Sequence, residues 1–221
     1  MCCGWPILLS ISHKPRAPIV SLQQAISRLG LATLREIVIT VSIQSRILNV
    51  PGYATEARAL WQHAVHTAAY ARAIARRCRR SVEGAFLGGL LHDVSKPVLL
   101  LALADLQAQL DEPLTPPVVA TALEVYHTQV GALLASTWNL PPEVCESMVY
   151  HHDYSAASAH PEVVLITCLA DRVTYALTQP EDALEHVRHD PLWMQLNLYP
   201  DDVEVLLDEH QAIGQFAEAI G

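Results

Sequence analysis

The stretch G-G-L-L-H-D-V-S-K-P-V-L-L-L, Gly88 to Leu101, sets a histidine and an aspartate side by side in an otherwise apolar run. Val94, Val98 and the flanking leucines mark the region as buried. An ionised carboxylate is buried only at a cost of several kcal/mol unless it is paired, hydrogen-bonded or bound to a metal. Other histidines and one more aspartate share such settings: His63, His127 in E-V-Y-H-T-Q-V-G, His151-His152, and Asp171 in I-T-C-L-A-D-R-V. Imidazole nitrogens with carboxylate oxygens form a borderline-to-hard ligand set that suits Zn, Fe or Mn. Asp93 could share an ion with His92 or bridge two ions, and a metal would neutralise the carboxylate that burial penalises. Any one of these histidines taken alone also fits a hydrogen-bonded core residue, so spacing leaves both readings open. His66, one turn from His63, reads as facing another side of its helix. His13, His160, His186, His189 and His210 sit in polar contexts and read as solvated.

The elements that must position these residues read as helices. The chain has 221 residues, 51% hydrophobic and 17% charged, which suits one large domain or two small ones and excludes disorder. Aromatics make up 6% while Leu and Ala dominate, and no strand alternation is sustained, so the fold class is all-α. Thr33-Leu34-Arg35-Glu36 reads as a capping box ahead of an apolar run through Leu48, with Gly30 ending a shorter helix before it. Pro51-Gly52 reads as a turn, and Thr55 as the cap of a helix to about Cys78 that carries Trp61, His63 and Tyr70. Ser81 starts a helix to His92 and Asp93, Pro97 marks the break after it, and Val98 to Leu106 continues as a short helix. Thr115-Pro116 caps a helix ending near Trp138, and Leu140-Pro141-Pro142 separates it from one that runs to His151 and His152. Pro161 opens another through Asp171 to Leu177, and Asp201 or Asp202 caps a last one to Ile220. Met1 to Pro18 lacks an amphipathic period and reads as a leader outside the fold.

Charge and cysteine usage narrow the function. A net charge of −9 argues against nucleic acid as a partner. Arg72, Arg76, Arg77, Arg79 and Arg80 offer a binding surface for anions, Arg72, Arg76, Arg79 and Arg80 being read as sharing a helix face. A solvated set near a helix C-terminus, favoured by the dipole, is the better account. Five cysteines without a CxxC pair, no apolar run long enough to cross a bilayer and no signal peptide point to a reduced, cytoplasmic protein with no membrane partner. Trp61 and Trp138 read as core anchors. Gly84, Gly88 and Gly89 read as permitting close helix approach, and Cys145 and Cys168 as buried thiols.

Taken in order, His63, His92-Asp93, His127, His151-His152 and Asp171 resemble the HD superfamily of metal-dependent phosphohydrolases. The detail is closer to its HDOD branch, the HD-related output domain of bacterial signalling proteins. The phrases I-V-S-L-Q-Q-A-I-S-R-L-G, L-W-Q-H-A, A-F-L-G-G-L-L-H-D-V-S-K, E-V-Y-H-T-Q-V-G-A-L-L-A-S-T-W-N-L-P and M-V-Y-H-H carry it, from about Ile19 to His152. The resemblance implies an HD-like helical bundle over residues 19–221 behind the 1–18 leader. It also implies metal ligands at His63, His92, Asp93, His127, His151 and Asp171, with Lys96 where a lysine meets substrate phosphate in active relatives. Two departures stand out. The helices that normally precede the I-x-S-L-x-x-A-I segment are expected to be missing. H-D-V-S-K also has Ser95 where the cyclic-di-GMP phosphodiesterase branch has glycine, and no G-Y-P loop follows His151-His152. The implied function is a regulatory module acting through other signalling proteins, with a divalent metal site. The alternative is a metal-dependent phosphohydrolase acting on a nucleotide or cyclic dinucleotide, with Asp93 and Lys96 as its catalytic groups. A nucleotide ligand fits either reading.

Overall fold

A computed structural model describes residues 30–47 and 50–221 of the chain. The expected leader and the short helix before Gly30 lie outside the described residues. The described part is helical and holds no strand: α1 (Leu31–Ile47), α2 (Ala54–Arg77), α3 (Val82–Leu91), α4 (Ser95–Gln107), α5 (Pro116–Trp138), α6 (Pro142–Tyr150), α7 (Pro161–Ala176), α8 (Glu181–Arg188), α9 (Leu192–Gln195), α10 (Pro200–Asp208) and α11 (His210–Ile220). The all-α class is therefore what the structure shows.

The alanine-rich α2 is the central strut, buried along Ala57, Trp61, Ala64, Val65, Ala68, Ala71 and Ile74. Small side chains let its neighbours come close, and α3, α7 and α11 pack directly on it. The glycines of α3 serve this packing, as expected: a Cβ on Gly89 would lie 2.8 Å from the Ala68 Cα and 2.9 Å from the Thr67 carbonyl. The main core joins α2, α3, α6 and α7 through Tyr70, Phe86, Leu90, Met148, Ile166 and Leu169. A smaller core of Val50, Ala57, Leu100 and Val119 seats the α4–α5 pair on the base of α2. Ser81 caps α3 by accepting the Gly84 N–H at 3.2 Å, prolines open α5, α6, α7 and α10, and Asn139 ends α5 in the left-handed region with φ of 51°.

Several local expectations are overturned. Helix α1 begins at Leu31, so Thr33 and Glu36 lie inside it and form no capping box; Glu36 is buried against Arg72 instead, at 3.0 Å. Helix α2 starts at Ala54, which puts Thr55 within the first turn rather than at the cap. The break after α3 falls at His92–Val94, and Pro97 sits in the first turn of α4, where its missing N–H costs nothing. The last helix divides at Glu209 into α10 and α11. Trp138 is largely exposed, because it ends α5 beyond the core, whereas Trp61 is buried. The arginines share no single face: α2 stops at Arg77, Arg79 turns left-handed with φ of 56°, Arg77 pairs with Asp202 at 3.3 Å and Arg80 with Glu162 at 3.0 Å.

By length and composition, Val82–Gln107 and α5 reach the measure of a membrane span, contrary to expectation. The first run is two helices broken at the buried His92 and Asp93. The second turns His127 inward and leaves Val118, Val125, Tyr126 and Leu133 exposed.

Replacing Gly89 by alanine sets a methyl group against rigid main chain, so Gly89→Ala is expected to destabilise the fold by about 1–3 kcal/mol. The same change at Gly88 meets side chains rather than main chain, the Thr167 and Ser147 hydroxyls at 2.8 and 2.9 Å and the Ser147 Cβ at 3.3 Å, and should cost less. Urea unfolding of both variants, read as a lowered midpoint at unchanged slope, checks the order.

Candidate metal centre

Helix geometry sets the histidine tautomers before any ion is considered. The Nδ1 of His92 donates to the Gly89 carbonyl at 2.7 Å, and that of His151 to the Ser147 carbonyl at 2.9 Å. The Nδ1 of His127 faces the Leu123 and Glu124 carbonyls, each at 2.9 Å. A carbonyl only accepts, so each of these Nδ1 atoms carries a proton, and in the neutral ring Nε2 is then a lone pair. The three carbonyls lie three or four residues upstream, where the preceding helical turn places them.

The rings gather around Asp93. Centroids of His63 and His92 are 5.4 Å apart, those of His92 and His151 5.0 Å, and those of His127 and His151 5.4 Å. One Asp93 oxygen, Oδ2, lies 3.5 Å from His92 Nε2 and 2.5 Å from Lys96 Nζ. The other, Oδ1, lies 3.7 Å from His127 Nε2 and 3.6 Å from His151 Nε2. Asp171 Oδ1 accepts from His63 Nε2 at 2.9 Å and stands 3.7 Å from His92 Nε2. All seven residues expected at the site therefore meet, delivered by α2, the turn after α3, α4, α5, the end of α6, and α7.

Two sets of ligand atoms lie within 4.8 Å of one another: His63, His92 and Asp93, and His127, His151 and His152. His152 was not among the expected ligands; adjacent residues on a helix point apart. Helix α6 ends at Tyr150, which frees the pair from that divergence, and His152 Nε2 comes to 3.0 Å from His127 Nε2. The only sequence cue was the doubled histidine itself. Ser95, the residue in place of glycine, is fully buried and donates from Oγ to the His127 carbonyl at 2.6 Å, tying the His-Asp turn to α5.

The residues fit a metal on a specific ground. His92 Nε2, His151 Nε2 and Asp93 Oδ1 are buried and have no hydrogen-bond partner. Unpaired buried polar atoms are costly, and three that converge describe a place for a cation. His66 faces away and donates to the Gln62 carbonyl at 2.8 Å, while His186, His189 and His210 are exposed and His160 is half-buried. Burial raises the Cys168 thiol to about 11 and pushes Cys145 up, so both stay protonated, though Cys145 is only half-buried.

Electrostatics inside the cluster are strongly coupled. Burial opposes charge on Asp93, yet His92 and Lys96 hold its carboxyl well below the usual range. Burial likewise opposes a proton on His92, but the neighbouring Asp93 carboxylate outweighs it and raises the pKa. His151 goes the other way: burial, then the charge of His92, lowers it to about 3. His152 is lowered by burial and by His127. Asp171, against burial, is held at about 2 by the His63 hydrogen bond.

The chain is similar to known proteins in three respects. The sequence pattern of the HDOD domain family matches residues 10–154. A protein of Treponema pallidum (strain Nichols), described as uncharacterized, is 26% identical over 178 residues, covering 76% of this chain and 34% of its own length. The chain thus spans about a third of that relative. A crystal structure from Shewanella amazonensis SB2B, of a protein provisionally named a phosphohydrolase, superimposes with a TM-score of 0.65 at 17% identity, covering 92% of this chain and 78% of the other. At that identity the likeness speaks for the helical fold alone.

A pH dependence follows for the metal-free protein. Unfolded, His151 takes a proton below about 6.5; folded, only below about 3. Between those values the unfolded state binds more protons, so stability falls on acidification. His92, raised, works in the opposite sense, its contribution being present at low pH and lost as pH rises through its folded value. Asp171 adds a loss as pH falls from 3.8 through about 2. The melting temperature is expected to fall between pH 6.5 and 4, with a flatter slope in His151→Asn, whose amide keeps the donor to Ser147.

Proposed function

Because the chain belongs to the HDOD domain family, we propose that it is a signalling module built around a divalent-metal centre, which regulates other proteins by contact with them. One observation carries the metal: the unpartnered, buried His92 Nε2, His151 Nε2 and Asp93 Oδ1 aimed at one interior place. His63, His92, Asp93 and Asp171 would hold one ion, and His127, His151 and His152 a second, with Asp93 between the two sets. Zn, Fe or Mn matches these donors. The contact role is supported by the outer side of α5, where Val118, Val125, Tyr126 and Leu133 stand exposed; grouped apolar residues on a surface mark interaction sites.

A second reading, a metal-dependent phosphohydrolase, is favoured by the opening of the centre. His152 is exposed, and His63 and Asp171 are partly so, at 24% and 21% of their side-chain surface. A phosphoester could therefore reach the cluster. A divalent ion there supplies Lewis acidity towards a phosphoryl oxygen. Lys96, held on Asp93, would bind phosphate with its ammonium, and the Nδ1–carbonyl bonds would keep the imidazoles oriented. The provisional name of the Shewanella protein belongs to that protein alone.

Elemental analysis of protein purified without a metal-affinity tag tests the centre. Near-stoichiometric Fe, Mn or Zn is expected in the wild type and none in Asp93→Ala; a blank in both would leave a hydrogen-bonded cluster and end the metal reading. A chelator should lower the melting temperature by roughly 5–10 °C, since an ion at a hundred times its Kd adds about 2.7 kcal/mol. Hydrolysis of a generic aryl phosphodiester by the metal-loaded protein, abolished by Lys96→Ala with metal content retained, would establish the second reading. No hydrolysis by loaded protein leaves the contact role.

A further inference from the structure

A cleft of about 550 Å³ opens between α2 and α11 and shares no lining residue with the metal centre. Arg76 at its rim lies 13 positions beyond His63 on α2 (76 − 63), or about 20 Å at helical rise. Its floor is apolar, built from Ala69 and Ala73 of α2 with Ile213 and Phe216 of α11. The alanines leave room that larger side chains would fill.

The charges around this floor are mostly committed. Arg72 lies over the Phe216 ring at 4.2 Å and pairs with the buried Glu36 at 3.0 Å. Arg77 pairs with Asp202 at 3.3 Å. The side chains of Arg76 and Glu209, both exposed, make no hydrogen bond or ion pair among the described residues. The cleft therefore offers one open cation and one open anion beside an apolar floor. Arg72, Arg76 and Arg77 are balanced by Glu36, Asp202 and Glu209, so there is no surplus positive charge to hold a phosphate dianion. A ligand carrying both signs and an apolar body matches all three features.

We propose that this cleft binds a free α-amino acid with an apolar side chain. Its carboxylate meets the Arg76 guanidinium, whose planar fork suits a carboxylate. Its ammonium meets Glu209, and its side chain lies on Ala69, Ala73 and Ile213. The volume falls in the range of small-molecule sites. The site is independent of the metal centre, so the two readings fail separately.

Amide NMR shifts of the metal-free chain, titrated with L-leucine and L-phenylalanine, test the proposal. Saturable shifts confined to residues 69–77 and 202–217 are expected. Arg76→Gln and Glu209→Gln alter exposed side chains and spare the fold; each should weaken binding at least tenfold. The proposal is overturned if no natural amino acid gives saturable shifts, or if both variants bind as the wild type does. It is also overturned if 4-methylpentanoate, which lacks the ammonium, binds as tightly as leucine. Tighter binding of inorganic phosphate than of leucine would mark a plain anion site and overturn it as well.

Discussion

Much of this molecule is arranged around one buried carboxylate. Asp93 sits at the end of a nearly all-apolar helix, almost wholly out of water, where a bare charge would be intolerable. Lys96, three residues on, supplies one counter-charge without leaving the turn. The adjacent His92 supplies another, and the imidazoles of His127 and His151, brought by α5 and the end of α6, close around the second carboxylate oxygen. His127 and His151 are far from Asp93 in sequence, so the carboxylate is fully surrounded only when the helical bundle is assembled. Site and fold are in that sense one constraint.

Rigidity comes from backbone rather than from a second layer of acids. In many metal centres the far nitrogen of a ligating histidine is oriented by a carboxylate. Here His92, His127 and His151 are each pinned by carbonyls of the preceding turn. The helix thus fixes both the ring and its tautomer, and the lone pairs converge because the helices do. That convergence needs close packing. Gly89 against Ala68 and Gly131 against the Met148 carbonyl, where a Cβ would come to 3.2 Å, let α3 approach α2 and α5 approach α6. Small residues at the helix crossings set the distances between the polar ones.

How much of this could be read from the chain depends on whether the signal was local. The apolar setting of His92-Asp93 and the order of the other histidines were local features, and the structure brings those residues together. Helix existence was legible too, because prolines and apolar periodicity punctuate the chain. The failures share a cause. Glu36 looked like half of a capping box, but a buried arginine on another helix claimed it. Trp138 looked like a core anchor, but its helix outlasts the core by several residues. His152 joins the cluster because α6 ends at Tyr150, a boundary that no local signal marks. In each case tertiary placement overrode a sound short-range rule.

The serine of H-D-V-S-K shows why a departure from a related motif need not mean decay. A glycine after the aspartate lets the chain turn but contributes no bond. Ser95 is fully buried, and its hydroxyl links the turn to the main chain of α5 at His127. A buried hydroxyl without a partner would be a liability, so the substitution is tolerable only because the carbonyl of His127 is in reach. The bond fastens the turn that carries Asp93 to the helix that carries His127. The cluster around Asp93 is thereby held in register between two elements 32 residues apart in the chain.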